Sequence, residues 1–266
     1  MSRANANADI VTYNTLMKAY RQSGEARRAH SLLLLMLGVE SYTLSSLSSS
    51  SPSLARSLSM LLKHLQQNPV APDVITFAEA IQACANGGEA RLGLRIYDKN
   101  VAAKDSSIVI VGAALGCCAK VGDWAKALRI FHASSSAMLQ QNAVTVASLV
   151  GACAKGSHWQ IALEIVKRAP VINEVAFNNL LAYMGCENNM PSFMADKVMA
   201  IMRARGFTPD ARTYRRLVAG FAREREWKRV SELEIKAKDL GLNLGQSAKR
   251  CYQLGKQLPT YNYSVH

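Results

Sequence analysis

Three cysteines recur in this 266-residue chain at an almost constant interval, Cys84 to Cys118 spanning 34 positions and Cys118 to Cys153 spanning 35. A thiol can serve as a nucleophile or a soft metal ligand, and either role needs basic or ligating partners close by. The six cysteines form no CxxC pair, and the five histidines, His30, His64, His132, His158 and His266, are scattered. No HExxH, GxSxG or phosphate-binding loop occurs, and His158 has no sequence-local Cys or Asp partner. No enzyme activity, metal site or other cofactor is therefore expected, and the periodic cysteines read as small buried packing residues.

The cysteines belong to longer strings that repeat with them. Gly116 to Phe131 reads GCCAKVGDWAKALRIF, Gly151 to Val166 reads GACAKGSHWQIALEIV, and a fainter copy, QACANGGEARLGLRIY, runs from Gln82 to Tyr97. Self-similarity at this period marks a stacked helical array, in which each unit buries its apolar face only against its neighbours. Within a unit, Ala127, Leu128 and Phe131, or Ala162, Leu163 and Val166, fall at helical spacing on one face. Ser23-Gly24, Gly87-Gly88, Gly122-Asp123 and Gly156-Ser157 break the pattern between paired helices.

This frame predicts an all-α fold, a right-handed α-solenoid of about six helix-turn-helix repeats with a C-terminal capping helix. The units run over 10–73, 74–107, 108–142, 143–173, 174–210 and 211–245, followed by a cap and tail over 246–266, with the capping helix at 247–258. A Ser-rich insertion at about 41–53 is too poor in large apolar groups to pack, and a helical piece follows it near 54–65. GCENNMPS lengthens the turn inside the fifth unit, with Pro191 placed to start its second helix.

Hydrophobic residues make up 49% of the chain, enough for a continuous core, and no stretch approaches the roughly 18 to 20 apolar residues of a membrane helix. There are 32 Lys and Arg against 19 Asp and Glu, a net charge of +13. From Arg203 to Lys256 there are 14 basic and 6 acidic side chains. Such a chain attracts polyanions.

Ile10 to Lys18 reads IVTYNTLMK, Glu174 to Ala182 reads EVAFNNLLA, and units end in Ala71-Pro72-Asp73 and Thr208-Pro209-Asp210. The Trp and Leu-Gly signature of tetratricopeptide first helices is absent. The VTYN opening and the Gly-x-x-Pro-Asp ending at Gly206 to Asp210 resemble the pentatricopeptide repeat family, over about Ile10 to Gly245. The resemblance implies sequence-selective binding of single-stranded RNA, one base per repeat. It implies base-reading pairs made by the residue after the first-helix aromatic position and the last residue of the unit: Asn14 with Asp73, Ala78 with Ser107, Gly112 with Asn142, Ala147 with Asn173, Asn178 with Asp210, and Arg215 with Gly245. Asn with Asp resembles the family's uracil-preferring pair, since an amide offers both a donor and an acceptor to a pyrimidine. Ala78, Gly112 and Ala147 depart from the pattern because their side chains cannot hydrogen-bond. The Ser-rich insertion lies between Asn14 and Asp73 in the chain.

The resemblance further implies that Val11, Ile75, Val109, Val144 and Val175 sandwich the bases, with Arg212 stacking through its guanidinium in the sixth unit. Read from the residues alone, these valines and this isoleucine suit ordinary helix packing equally well. Lys120, Lys155 and Arg223 recur near the end of the first helix, where the family's groove meets phosphates. The function expected is RNA binding in organellar RNA processing, stability, editing or translation, with a protein effector supplying any catalytic step and no membrane partner. The alternative is a protein-interaction scaffold holding a peptide or helix in its groove, against which the positive charge argues. The family is mostly mitochondrial or plastid, although no Arg- and Ser-rich transit peptide is visible before Ile10, and about 21 residues after the last unit leave no room for a deaminase-like or nuclease domain.

Overall fold

The computed structural model of the chain describes residues 9–38, 60, 63–65, 67–100, 107–136, 141–186 and 190–244. Among these residues the secondary structure is helical and no strand occurs. The chain divides into two compact units, Met1–Gln141 and Asn142–His266. The first holds α1 (Ile10–Ser23), α2 (Ala26–Met36), α3 (Val74–Asn86), α4 (Ala90–Asn100), α5 (Ile108–Val121) and α6 (Trp124–Ser136). The second holds α7 (Ala143–Lys155), α8 (Trp159–Arg168), α9 (Glu174–Leu181), α10 (Ala195–Ala204), α11 (Ala211–Arg223) and α12 (Trp227–Asp239). A 3-10 turn at Ser192–Met194, opened by Pro191, leads into α10. The predicted capping helix and the Ser-rich insertion lie outside the described residues.

None of these helices would persist alone, since α9 has 8 residues and α1 and α5 only 14. Stacking supplies what propensity lacks. In the first unit α3 packs against α1, α2, α4 and α5, and in the second α9 packs against α7, α8, α10 and α11. Leu33, Ile81, Leu115, Leu149 and Phe177 are buried, each contributing about 1.5–3 kcal/mol relative to exposure. Small residues let the helices approach: Ala80, Ala83, Cys84, Ala114, Cys117 and Cys118 are fully buried. A Cβ on Gly93 would lie 2.7 Å from Cys117 Sγ, so only glycine fits where α4 meets α3 and α5. Burial pushes the thiols of Cys84, Cys117 and Cys118 up to about 12 and that of Cys153 to about 11, which keeps them as neutral packing groups.

After the insertion the chain returns to the first unit's core. Leu65 is buried there, and Tyr13 Oη lies 3.5 Å from His64 Nδ1. Paired helices are joined by tight turns with one recurring bond, the amide of the turn's last residue reaching five residues back: Glu25 to Tyr20 O, Asp123 to Cys118 O, His158 to Cys153 O and Glu226 to Phe221 O. Such a turn needs a left-handed residue. Gly24 and Gly122 supply it at φ 72° and 88°, whereas Ser157 and Arg225 adopt it without being glycine, at φ 62° and 60°. The three tryptophans, Trp124, Trp159 and Trp227, each open the second helix of a pair.

Candidate functional site

Every first helix begins the same way. Its N-cap is Asp9, Asp73, Ser107, Asn142, Asn173 or Asp210, and in each the side-chain oxygen accepts from the backbone N–H three residues on. Five of these six are the residues that the resemblance assigns as the second member of a base-reading pair. They close one unit in sequence and cap the next unit's helix in space. The cap accounts for their short polar side chains by itself. Asp73, Asn142 and Asp210 are joined by Thr76, Thr145 and Thr213 in reciprocal capping boxes. The recurring Asp/Asn-x-x-Thr phrase was the available sequence signal for these threonines.

The second helical position carries the aliphatic row. Val11, Ile75, Val109 and Val144 are 64%, 54%, 57% and 63% exposed. Core packing is thereby excluded for these four, because each turns a branched apolar side chain to solvent two residues after a cap. Val175 is half-buried, and Arg212 is exposed at the equivalent place.

The first members of the pairs fare differently. Asn14 is half-buried, and its Nδ2 donates to Asp73 Oδ1 and Oδ2 at 3.3 and 3.2 Å. The insertion therefore does not keep Asp73 away from Asn14. Thr76 Oγ1 donates to Asn14 Oδ1 at 2.6 Å, and the Thr76 backbone N–H donates to Asp73 Oδ1 at 2.8 Å. Burial raises the Asp73 carboxyl, but the bonds from Thr76 and Asn14 outweigh it and hold it below the ordinary aspartate value. Ala78 and Ala147 are buried and Gly112 is half-buried. Arg215 is exposed, its Nε bonded to Ala211 O at 3.3 Å.

Asn178 follows an aromatic residue as Asn14 does, yet it is 3% exposed and neither its Nδ2 nor its Oδ1 has a hydrogen-bond partner. Asp210 is engaged with Thr213, through the backbone N–H and the hydroxyl, both at 2.8 Å. Burial raises the Asp210 carboxyl too, and the Thr213 bonds, with the nearby Arg212 charge, bring it below the ordinary value. The neighbouring Asn179 donates instead to Ala147 O at 2.8 Å.

Lys120, Lys155 and Arg223 are exposed in the last turns of α5, α7 and α11, where a cation suits the helix dipole. Arg223 has a second engagement, its Nη1 donating to Met184 O at 2.7 Å and Ala182 O at 3.4 Å beyond the end of α9. Gly245 lies outside the described residues. Among the described residues no group of three His, Cys, Asp or Glu side chains could hold a metal ion, and no helix is long and apolar enough to cross a membrane.

Residues 11–39 match the pentatricopeptide (PPR) repeat. No curated protein matches the sequence. Among solved structures, the chain is similar to the pentatricopeptide repeat protein PPR10 from maize, with 20% identity, 95% of this chain and 42% of that chain covered, and a TM-score of 0.54. It is similar also to PPR10 in complex with an 18-nt psaJ RNA element, with 18% identity, 95% and 43% covered, and a TM-score of 0.55. This chain thus spans less than half the length of the structures it matches, and the likeness is one of fold.

Proposed function

We propose that this chain, which carries a pentatricopeptide repeat at residues 11–39 and has the fold of solved pentatricopeptide repeat proteins, binds single-stranded RNA with base selectivity. The observation that carries the reading is the exposed aliphatic row at the second position of the first helices, Val11, Ile75, Val109 and Val144. Solvent-facing branched side chains at one recurring position cost solubility and contribute nothing to the core. They suit flat apolar faces such as unstacked bases, which a duplex does not present. Asn14 with Asp73 selects uracil in this reading, Asn178 with Asp210 takes a pyrimidine, and Lys120, Lys155 and Arg223 meet phosphates. The RNA complex of PPR10 supports it by analogy of fold. An organellar role in RNA processing, stability, editing or translation, with any chemistry supplied by a partner, is the setting we infer from the family.

Equilibrium titration with labelled single-stranded and double-stranded RNA tests the proposal. Single strands bind more tightly, and the logarithm of affinity falls with the logarithm of salt at a slope of roughly 2 to 3.5 if three to five phosphates are neutralised. Equal binding to duplex, or an affinity indifferent to salt, contradicts it and favours a peptide ligand.

A further inference from the structure

We infer that Thr76 is a specificity-determining residue of the first repeat, its hydroxyl locking the Asn14 amide in one of its two possible orientations. The inference rests on the base-reading proposal and adds to it a third residue that touches no base.

A carboxylate only accepts, so the Asn14 atom facing Asp73 Oδ1 and Oδ2 must be Nδ2, one N–H being shared between the two oxygens. Thr76 Oγ1 has one proton and two oxygens in reach, Asn14 Oδ1 at 2.6 Å and Asp73 Oδ1 at 2.9 Å. Asp73 Oδ1 already receives the Thr76 backbone N–H at 2.8 Å, and Oγ1 itself accepts from the Asp73 backbone N–H at 3.2 Å. The proton belongs on Asn14 Oδ1, because two oxygens 2.6 Å apart with no proton between them repel. Asp73 thus fixes the nitrogen end of the amide, and Thr76 independently fixes the oxygen end. One Nδ2 N–H and one Oδ1 lone pair remain, in a set order, for a base edge.

That order decides between pyrimidines. Uracil carries an N3–H donor between two carbonyl acceptors, whereas cytosine carries an N3 acceptor beside an amino donor. An amide free to turn over serves either base, and one held from both ends does not. The fifth repeat provides the contrast: Thr213 gives its proton to Asp210, and the Asn178 amide is hydrogen-bonded to neither.

The test is a selection from a randomised single-stranded RNA pool with the wild type, Asn14→Ala, Thr76→Val and Thr76→Ser. It is followed by titration of two RNAs that differ only as uracil or cytosine at the position flattened by Asn14→Ala. Thr76→Val keeps the side-chain shape and the backbone cap to Asp73 but lacks the hydroxyl, and its uracil-to-cytosine affinity ratio falls at least about threefold. Thr76→Ser retains the ratio within about twofold. A purely structural role weakens both RNAs alike and leaves the ratio unchanged. If Asn14→Ala flattens no position, the base-reading proposal fails and this inference with it. If Asn14→Ala flattens one position while Thr76→Val keeps the wild-type ratio there, or Thr76→Ser loses it as fully as Thr76→Val, this inference alone is overturned.

Discussion

The first and fifth repeats, each with the threonine that opens the repeat after it, offer the same three residue types, Asn14, Asp73 and Thr76 against Asn178, Asp210 and Thr213, and differ in what the asparagine does. Asp73 and Asp210 cap their helices through the same box, and both carboxyls are held below their ordinary value mainly by threonine. Asn14 closes a network with its partners, while Asn178 is buried with both amide atoms unpaired. A buried amide without partners costs about 1–3 kcal/mol. The cap is thus a property of the local phrase Asp-x-x-Thr, whereas the reading pair depends on how two helices some 30 to 60 residues apart in sequence are packed. α9 is the shortest of the α-helices described, its Phe177 ring lies 5.6 Å from Phe207, and Asn179 rather than Asn178 reaches across to α7.

The comparison breaks first at the two aspartates. Asp73→Ala removes a cap and also strips the Asn14 amide of its acceptor, and we expect a loss of about 2–3 kcal/mol. Asp210→Ala removes only the cap, for about 1 kcal/mol. Urea denaturation of both variants measures this, and equal losses mean that the Asn14 bond adds nothing. A smaller contrast separates the asparagines: Asn14→Ala costs about 1 kcal/mol, while Asn178→Ala, which deletes two unpaired buried groups, changes stability by less than about 0.5 kcal/mol or raises it. Thermal melts of the two variants decide the matter.

The smallest effect concerns pH. Both carboxyls have folded values below the 3.8 of an ordinary aspartate, so their ionised forms favour the folded state. That contribution is complete above about pH 5 and is lost as pH falls through 3.8 and below. Asp73→Asn keeps an N-capping side chain but cannot titrate, and its melting temperature should decline less between pH 5 and pH 3 than that of the wild type. A parallel decline in both proteins would show that Asp73 does not contribute.

How much the sequence reveals follows the same division between local and distant. The helix pairs, the glycine breaks and the buried cysteines are legible because a 34 or 35 residue period repeats small residues that must pack. The positions of Asp73, Asn142 and Asp210 are legible too, although their capping role is written in the Thr three residues on rather than in the aspartate or asparagine itself. The exposure of Val11, Ile75, Val109 and Val144 is not, since an aliphatic residue in a first turn reads equally as core. Tyr13-Asn14 and Phe177-Asn178 look alike as dipeptides, and only packing distinguishes them: the Phe177 ring meets Phe207, whereas Asn14 is bonded to Asp73 and Thr76. Arg223 shares its phase with Lys120 and Lys155, but its bond to Met184 O arises from the turn after α9, which no repeat alignment shows.

The exposed aliphatic row bears the weight of the functional reading, and one titration addresses it directly. The double variant Val109→Ser/Val144→Ser changes two side chains that are more than half exposed and alters no charge, so the melting temperature should stay within a few degrees of wild type. Its affinity for single-stranded RNA, measured by fluorescence anisotropy at fixed salt, should fall at least about tenfold, the loss expected when bases forfeit their apolar stacking surfaces. An intact fold that binds single-stranded RNA as tightly as the wild type would contradict the account.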